Sequence, residues 1–237
     1  GGIGGLGTEI CKVLALAGRT VIAVDLDSRA ERIAGFKREI EGLDIHFAAA
    51  NVADHQDCGR LVREIEEQHG SLDILVNNAG ITRDSTLRKM DRAQWDAVLD
   101  VNLGSAFNLC GQALAGMQAR AFGRVVNISS ISGQTGNFGQ ANYAAAKAGL
   151  HGFTMSLARE VASKGVTVNS VSPGYIHTAM TAAMPPEVRD KIAASIPAGR
   201  LGQPADIART VAFLSDDAAG YITGANVPVN GGLFMSF

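Results

Sequence analysis

Cysteine is scarce: Cys11, Cys58 and Cys110 are the only three in 237 residues, an odd number, widely spaced and each set in an apolar helical pattern. That arrangement excludes a disulfide framework and a metal-ligand cluster. It reads as small core residues in a reducing compartment, so a cytoplasmic location is expected. An excess of basic charge is also missing. The net charge of −2 gives no field for a phosphate backbone, and no nucleic-acid partner is expected. No apolar run approaches the ~20 residues that cross a bilayer, so no membrane partner is expected. Internal repeats, low-complexity tracts and linkers are absent as well. What remains is a chain with 46% apolar residues, enough for a sizeable core, read as a single domain over 1–237.

The densest chemistry lies in Tyr143-Ala144-Ala145-Ala146-Lys147. Residues four apart share a helix face, so phenol and ammonium point the same way. A neighbouring cation favours the phenolate, and Lys147 is therefore expected to lower the Tyr143 pKa and make it a usable acid or base. Upstream, Val125-Val126-Asn127-Ile128-Ser129-Ser130 reads as a strand entering a loop, where a serine can hold a substrate carbonyl by hydrogen bond.

The chain opens on a glycine-rich turn, Gly1-Gly2-Ile3-Gly4-Gly5-Leu6-Gly7, running into a helix with Ile10, Val13, Leu14 and Ala17 on one face and Gly18 at its stop. Glycines let backbone approach a pyrophosphate, and the helix N-terminus supplies N–H donors. Asp25 then closes the strand Thr20–Asp25, at the spacing where a carboxylate can bind adenosine ribose hydroxyls.

Taken in order, Gly1-x-x-x-Gly5-x-Gly7, Asn77-Asn78-Ala79-Gly80, Asn102, Ser130, Tyr143-x-x-x-Lys147 and Pro173-Gly174 resemble the short-chain dehydrogenase/reductase family over essentially the whole chain. Asn78 to Asp84, Phe138-Gly139-Gln140, Lys147 to Thr154, Ser172 to Ile176 and Asn230 to Leu233 further resemble the acetoacetyl-CoA reductases of polyhydroxybutyrate synthesis. Asn137 departs from that pattern, which leads one to expect Gln there.

The resemblance implies an α/β, doubly wound Rossmann fold: a parallel seven-stranded sheet flanked by helices on both faces. Its central first strand would precede Gly1 and is missing from this numbering, so residues upstream, including any targeting segment, are expected to exist. The residues read independently as strands and helices in alternation, with short buried runs at Leu72–Val76, Val125–Ile128, Val166–Val171 and Ala225–Val229. Helical patterns cover Trp95 to Ala119 and Tyr143 to Ala162, and Pro204 looks like the first residue of another helix. The segment 178–200 breaks the rhythm and is read as a mobile substrate lid.

The resemblance also implies roles. Tyr143 donates the proton, Ser130 holds the carbonyl, and Lys147 binds the nicotinamide ribose, while Asn102 holds a water that resupplies protons. Ser129 is expected to turn toward the cofactor. Cofactor contacts are expected from Gly1, Gly5, Leu6, Gly7, Asp25, Asn51, Val52, Asn78, Ala79, Gly80, Pro173, Gly174, Ile176 and Thr178, besides Tyr143 and Lys147. Phe138, Gln140 and Tyr175 are the substrate candidates; no metal is expected. Arg120, Arg124 and Lys164 are candidate anchors for a CoA phosphate or an acidic carrier protein.

Asp25 repels a 2′-phosphate, which favours NAD(H) over NADP(H), with Arg29 close enough to reach such a phosphate in the alternative. Reduction of a 3-oxoacyl thioester is the expected activity, most simply acetoacetyl-CoA to (R)-3-hydroxybutyryl-CoA. The alternatives are a 3-oxoacyl-[acyl-carrier-protein] reductase, an NAD-dependent dehydrogenase of a small secondary alcohol or polyol, and a catalytically silent dinucleotide sensor. By analogy the assembly would be a homotetramer, with the two long helices packing across subunits.

Overall fold

The structure, a computed structural model, describes residues 1–28 and 30–235. In chain order its elements are α1 (Gly5–Leu16), β1 (Val21–Asp25), α2 (Ala30–Glu39), β2 (Ile45–Ala49), α3 (His55–His69), β3 (Ile74–Asn77), α4 (Arg92–Leu99), α5 (Ser105–Ala119), β4 (Gly123–Ile128), α6 (Ser132–Thr135), α7 (Ala141–Val161), β5 (Val166–Pro173), α8 (Ala179–Ala182), α9 (Pro186–Ser195), α10 (Pro204–Leu214) and β6 (Asn226–Val229).

All strand pairs are parallel. β1 pairs with β2, setting Asp25 opposite Ala49, and β3-β4-β5-β6 form a second run with Asn77 opposite Asn127 and Ile128 opposite Val171. β1 and β3 stand on two sides of an interval that α1 and α3 also flank. Gly1 and Gly2 sit at one end of it: Gly2 N donates to Val24 O (2.8 Å), and Asn78 Nδ2 donates to Gly1 O (2.8 Å).

Side chains alternate across the strands, so neighbours enter different layers. Val126, Ile128 and Val171 pack with Ile10 and Leu14 of α1 and Ile207, Val211 and Leu214 of α10. Val125, Val166 and Val168 pack on the opposite face with α3, α5 and α7. Every residue of β4 and β5 is buried, as strands covered on both faces require. The cysteines are free and buried in these two layers, where burial pushes the Cys11 and Cys58 thiols up to about 11 and Cys110 to about 12. They are inert core atoms, as their sequence context indicates.

Two departures bear on function. The pattern from Trp95 to Ala119 is not one helix, because a π turn at Asp100–Gly104 separates α4 from α5. Asn102 lies in that turn, buried, accepting from Ile81 N (2.7 Å) and donating to Ile81 O (2.9 Å), so the irregular turn is held by a side chain bonded to another segment. The segment 178–200, in turn, holds two short helices, α8 and α9, beyond the C-terminal end of β5.

The candidate anchors are a correction. Arg124 is the second residue of β4, at the end opposite Ser130. It is buried there, donating to the carbonyls of Gly123, Asp216 and Asp217 and stacking 4.4 Å over Phe122. Arg120 precedes β4 and is engaged by Glu66, Asp73 and the Leu72 carbonyl. Lys164 lies beyond the far end of α7 from Tyr143. A chain of alternating strands and helices places residues that precede a strand on the opposite edge of the sheet from those that follow it.

Candidate active site

The glycine-rich turn is shaped by backbone packed on backbone. A Cβ on Gly1 would lie 2.7 Å from Ala79 Cα, one on Gly2 2.8 Å from Val24 N, and one on Gly7 would drive into the Gly1 carbonyl oxygen. Only glycine fits such approaches. Gly4, extended at φ −79°, leads into the 12-residue helix α1 without a side-chain cap, so no side chain occupies the N–H donors of its first turn. Thr178 stands 3.7 Å from where a Gly5 side chain would begin. The turn, the end of β1 and the segment after β5 therefore converge, and this cradle of backbone donors suits a dinucleotide pyrophosphate.

Asp25 is buried at the end of β1, its Oδ1 accepting from Leu26 N (2.9 Å). Sequence reasoning missed its neighbour Arg32, on α2, whose Nε donates to Ile3 O (3.2 Å) and whose guanidinium lies against Gly4. Arg29 lies outside the described residues. Asn51 follows β2 and is pinned by Asp57 Oδ2 at its N–H (2.7 Å), while the Val52 carbonyl accepts from Asn108 (3.0 Å). Leu6 lies in the first turn of α1, and Ala79 backs Gly1.

The catalytic candidates meet past the C-terminal end of β4. β4 delivers Ser129 and Ser130, and α7 begins at Ala141, two residues before Tyr143. Ser130 Oγ accepts from Ser132 N (3.1 Å) and lies close enough to the Tyr143 hydroxyl to pull its pKa down. Lys147 is buried, and its Nζ donates to Ile128 O (2.7 Å). Gly80 brings the remaining groups together, since a Cβ there would lie 3.3 Å from Asn102 Oδ1 and 3.5 Å from Lys147 Nζ. Asn102 thus stands beside the lysine, although both polar atoms of its side chain are engaged by Ile81.

The expected effect of Lys147 on the phenol is not what the structure holds. Nζ lies 5.7 Å from the Tyr143 ring centroid and is turned to Ile128. Burial pushes the Tyr143 pKa up, the Ser130 hydrogen bond pulls it down, and the nearby Asp84 charge pushes it up, with the net shift upward. Burial also lowers Lys147 to about 8. Spacing on a helix face gave the direction of both side chains, but the desolvation that outweighs their attraction is a tertiary quantity.

Ser129 is a second correction. It does not turn toward the cofactor cleft. It is buried against α7, its Oγ donating to Lys147 O (2.7 Å) and lying 2.8 Å from His151 Nε2. On the substrate side, Phe138 is 90% exposed at the mouth of the site, and the Tyr175 carbonyl accepts from Gly202 N. Gln140 ties the site's loops together, donating to Asp84 Oδ2 (2.9 Å) and accepting from Ser132 and Asn137. After β5, Gly174 packs with its would-be Cβ 2.8 Å from Asn230 Cα. Pro173 O accepts from Ile131 N, joining the loop that carries Ser130, and Ile176 is buried. Asp84 and His151 lacked a motif of their own, but His151 stands four residues past Lys147 on the same face, a signal the sequence did carry.

A parallel sheet with a glycine-lined pyrophosphate cradle and a Ser-Tyr-Lys group at the ends of its strands defines a class. The chain belongs to the short-chain dehydrogenase/reductase family, oxidoreductases that interconvert a carbonyl and an alcohol with a nicotinamide dinucleotide. The family model described as enoyl-(acyl carrier protein) reductase matches residues 2–234. The chain is 58% identical to an acetoacetyl-CoA reductase of Allochromatium vinosum, covering 99% of this chain and 96% of that one. It is 51% identical to an acetoacetyl-CoA reductase of Cupriavidus necator over the same shares. A 3-oxoacyl-[acyl-carrier-protein] reductase of Staphylococcus aureus is 46% identical over 98% of this chain and 94% of its own. Among the described residues no helix is long and apolar enough to cross a membrane, and no group of three or more His, Cys, Asp or Glu could hold a metal.

Proposed function

We propose that this protein reduces the keto group of a 3-oxoacyl thioester, acetoacetyl-CoA first among them, to the (R)-3-hydroxy product. The observation that carries the reading is the gathering of Ser130, Tyr143 and buried Lys147 past the end of β4, with Lys147 Nζ and Asn102 Oδ1 both beside Gly80, in the segment whose Ala79 backs Gly1 of the glycine turn. Similarity to two acetoacetyl-CoA reductases supports the substrate.

A bound nicotinamide dinucleotide would supply the hydride. Gly1, Gly5, Leu6 and Gly7 would hold its pyrophosphate and Asp25 its ribose. Asn51, Val52, Asn78, Ala79 and Gly80 would flank its adenosine half, and Pro173, Gly174, Ile176 and Thr178 its nicotinamide half. Ser130 orients the substrate carbonyl. Tyr143, kept protonated by burial and by Asp84, donates its proton to the carbonyl oxygen. Lys147, charged at neutral pH, binds ribose hydroxyls and offsets negative charge developing on the phenol oxygen. Asn102 stands where it can hold a water on the route back to Lys147. Phe138 and Tyr175 line the acyl side, Gln140 fixes the loop between them, and α8 and α9 form the lid. Assembly as a homotetramer and residence in the cytoplasm belong to the same proposal.

The substrate is tested by initial rates with acetoacetyl-CoA. Turnover saturating at low concentrations of the free CoA ester supports this reading. Turnover only on carrier-protein thioesters moves the assignment to the second reading, which the 46% identity to a carrier-protein reductase favours.

We further propose NAD(H) as the preferred cofactor, because a carboxylate at the ribose repels a 2′-phosphate. Arg32 beside Gly4 is a cation near this turn that works against the preference. Asp25→Ala should therefore raise NADPH use relative to NADH by about tenfold or more, given repulsion of a few kcal/mol between near charges. An unchanged ratio of kcat/KM values would refute the role of Asp25.

A further inference from the structure

Lys147 is clasped twice by consecutive residues of one segment: Nζ donates to Ile128 O, and Ser129 Oγ donates to Lys147 O, both at 2.7 Å. On its other flank Gly133 packs so closely that a Cβ would lie 2.7 Å from the Lys147 carbonyl carbon. The backbone of this residue is therefore held as firmly as its ammonium.

What holds Ser129 follows from hydrogen arithmetic. Its hydroxyl has one proton, and a carbonyl oxygen 2.7 Å away can only accept it. Toward His151 Nε2, at 2.8 Å, Ser129 must then be the acceptor, so Nε2 carries a hydrogen. The same Nε2–H reaches Ser172 Oγ at 3.2 Å on β5, whose proton goes to Asn226 Oδ1 (2.8 Å) on β6. Ser129 and Ser172 are buried, and burial lowers the His151 pKa, so the ring is neutral at neutral pH. One imidazole thus joins α7 to the ends of β4 and β5. Tyr143, Lys147 and His151 fall on one helix face at successive intervals of four.

We infer that His151 is a positioning residue for the reduction: its Nε2–H fixes the Ser129 hydroxyl, which fixes the Lys147 backbone at the end of β4. The inference rests on the proposed role of Lys147. Without the imidazole donor, Ser129 can rotate away, and the turn of α7 that carries Lys147 loses its tie. Sub-ångström errors at such a group lower kcat and loosen the cofactor more than they alter thioester binding.

The test compares His151→Leu, His151→Gln, Ser129→Ala and the His151→Leu/Ser129→Ala double variant with Lys147→Met, measuring kcat, thioester KM and the NADH dissociation constant. A glutamine amide nitrogen can stand in for Nε2–H. His151→Leu is expected to lower kcat about tenfold and weaken NADH several-fold with thioester KM nearly unchanged. His151→Gln should restore most of both, and the double variant should be no worse than either single one. NMR of isotope-labelled histidine in the wild-type protein should show the neutral Nε2–H tautomer. Wild-type values for His151→Leu, no recovery in His151→Gln, multiplying losses or an Nδ1–H tautomer would each overturn the inference. Lys147→Met separates the two layers. If it impairs the enzyme and His151→Leu does not, positioning alone fails; if it changes neither turnover nor NADH binding, the role of Lys147 fails.

Discussion

Tyr143→Phe is expected to reduce carbonyl turnover by about 10²–10⁴-fold, the range for removal of a positioned general acid, and to leave dinucleotide binding intact. The ring stays and only the hydroxyl goes, so packing around this half-buried residue is kept. The hydroxyl is the group whose pKa burial raises, and that keeps it protonated at neutral pH. In the direction of reduction that is the useful state, because the proton must be present when the oxygen gains charge. Dinucleotide titration by fluorescence alongside steady-state kinetics checks both halves. Substantial remaining turnover would mean that water or another group delivers the proton. A catalytically silent sensor would behave alike with and without the hydroxyl.

Lys147→Met is expected to remove activity to a similar extent, to weaken NADH and, at neutral pH, to make the fold more stable. Burial lowers this lysine to about 8 from its ordinary 10.5, so the folded state disfavours the charged form. The penalty is fully present below the folded value. It fades as pH rises from about 8 to 10.5, because there the unfolded chain still binds a proton that the folded chain has released. Stability of the wild-type protein attributable to this group therefore rises with pH through that window. Methionine, of similar length and without charge, removes the penalty but leaves the Ile128 carbonyl without its donor, so a net gain of about 1–3 kcal/mol is expected near neutrality. Denaturant unfolding of both proteins at several pH values checks it: the gap should narrow from about pH 8 and level off near 10.5. A variant less stable at every pH would show that the Ile128 bond outweighs desolvation. A gain in stability with loss of activity is the pattern expected where function requires a buried charge.

Much of this site was legible because its parts are local. The glycine turn, Asp25 at a strand end and the Tyr143–Lys147 interval of four each follow from a short-range rule, whereas the choice of Ser130 over Ser129 came from the family resemblance. The sequence pattern also placed β4, β5, α7 and Pro204 at the head of α10 to within two residues. The break in the long helix was not legible, because the π turn at Asp100–Gly104 is tied to Ile81, some 20 residues earlier in the chain. Nor was the direction of Ser129, one residue from Ser130 in the same loop. Which of two adjacent serines faces the cleft depends on where α7 lies, and no spacing rule carries that.

By itself, then, the sequence determined the order of the candidate residues along the alternating fold, since helix period, strand period and glycine geometry act over a few residues, while its resemblance to a family nominated their roles. Only the tertiary structure decided their electrostatic state and their neighbours. It raised Tyr143 where proximity to a cation suggested lowering, joined His151 and Ser129 to Lys147, brought Asp84 to the phenol, and carried Arg120, Arg124 and Lys164 to the far edge of the sheet. Desolvation and contacts between distant segments depend on how whole layers pack, and no local stretch of chain encodes them.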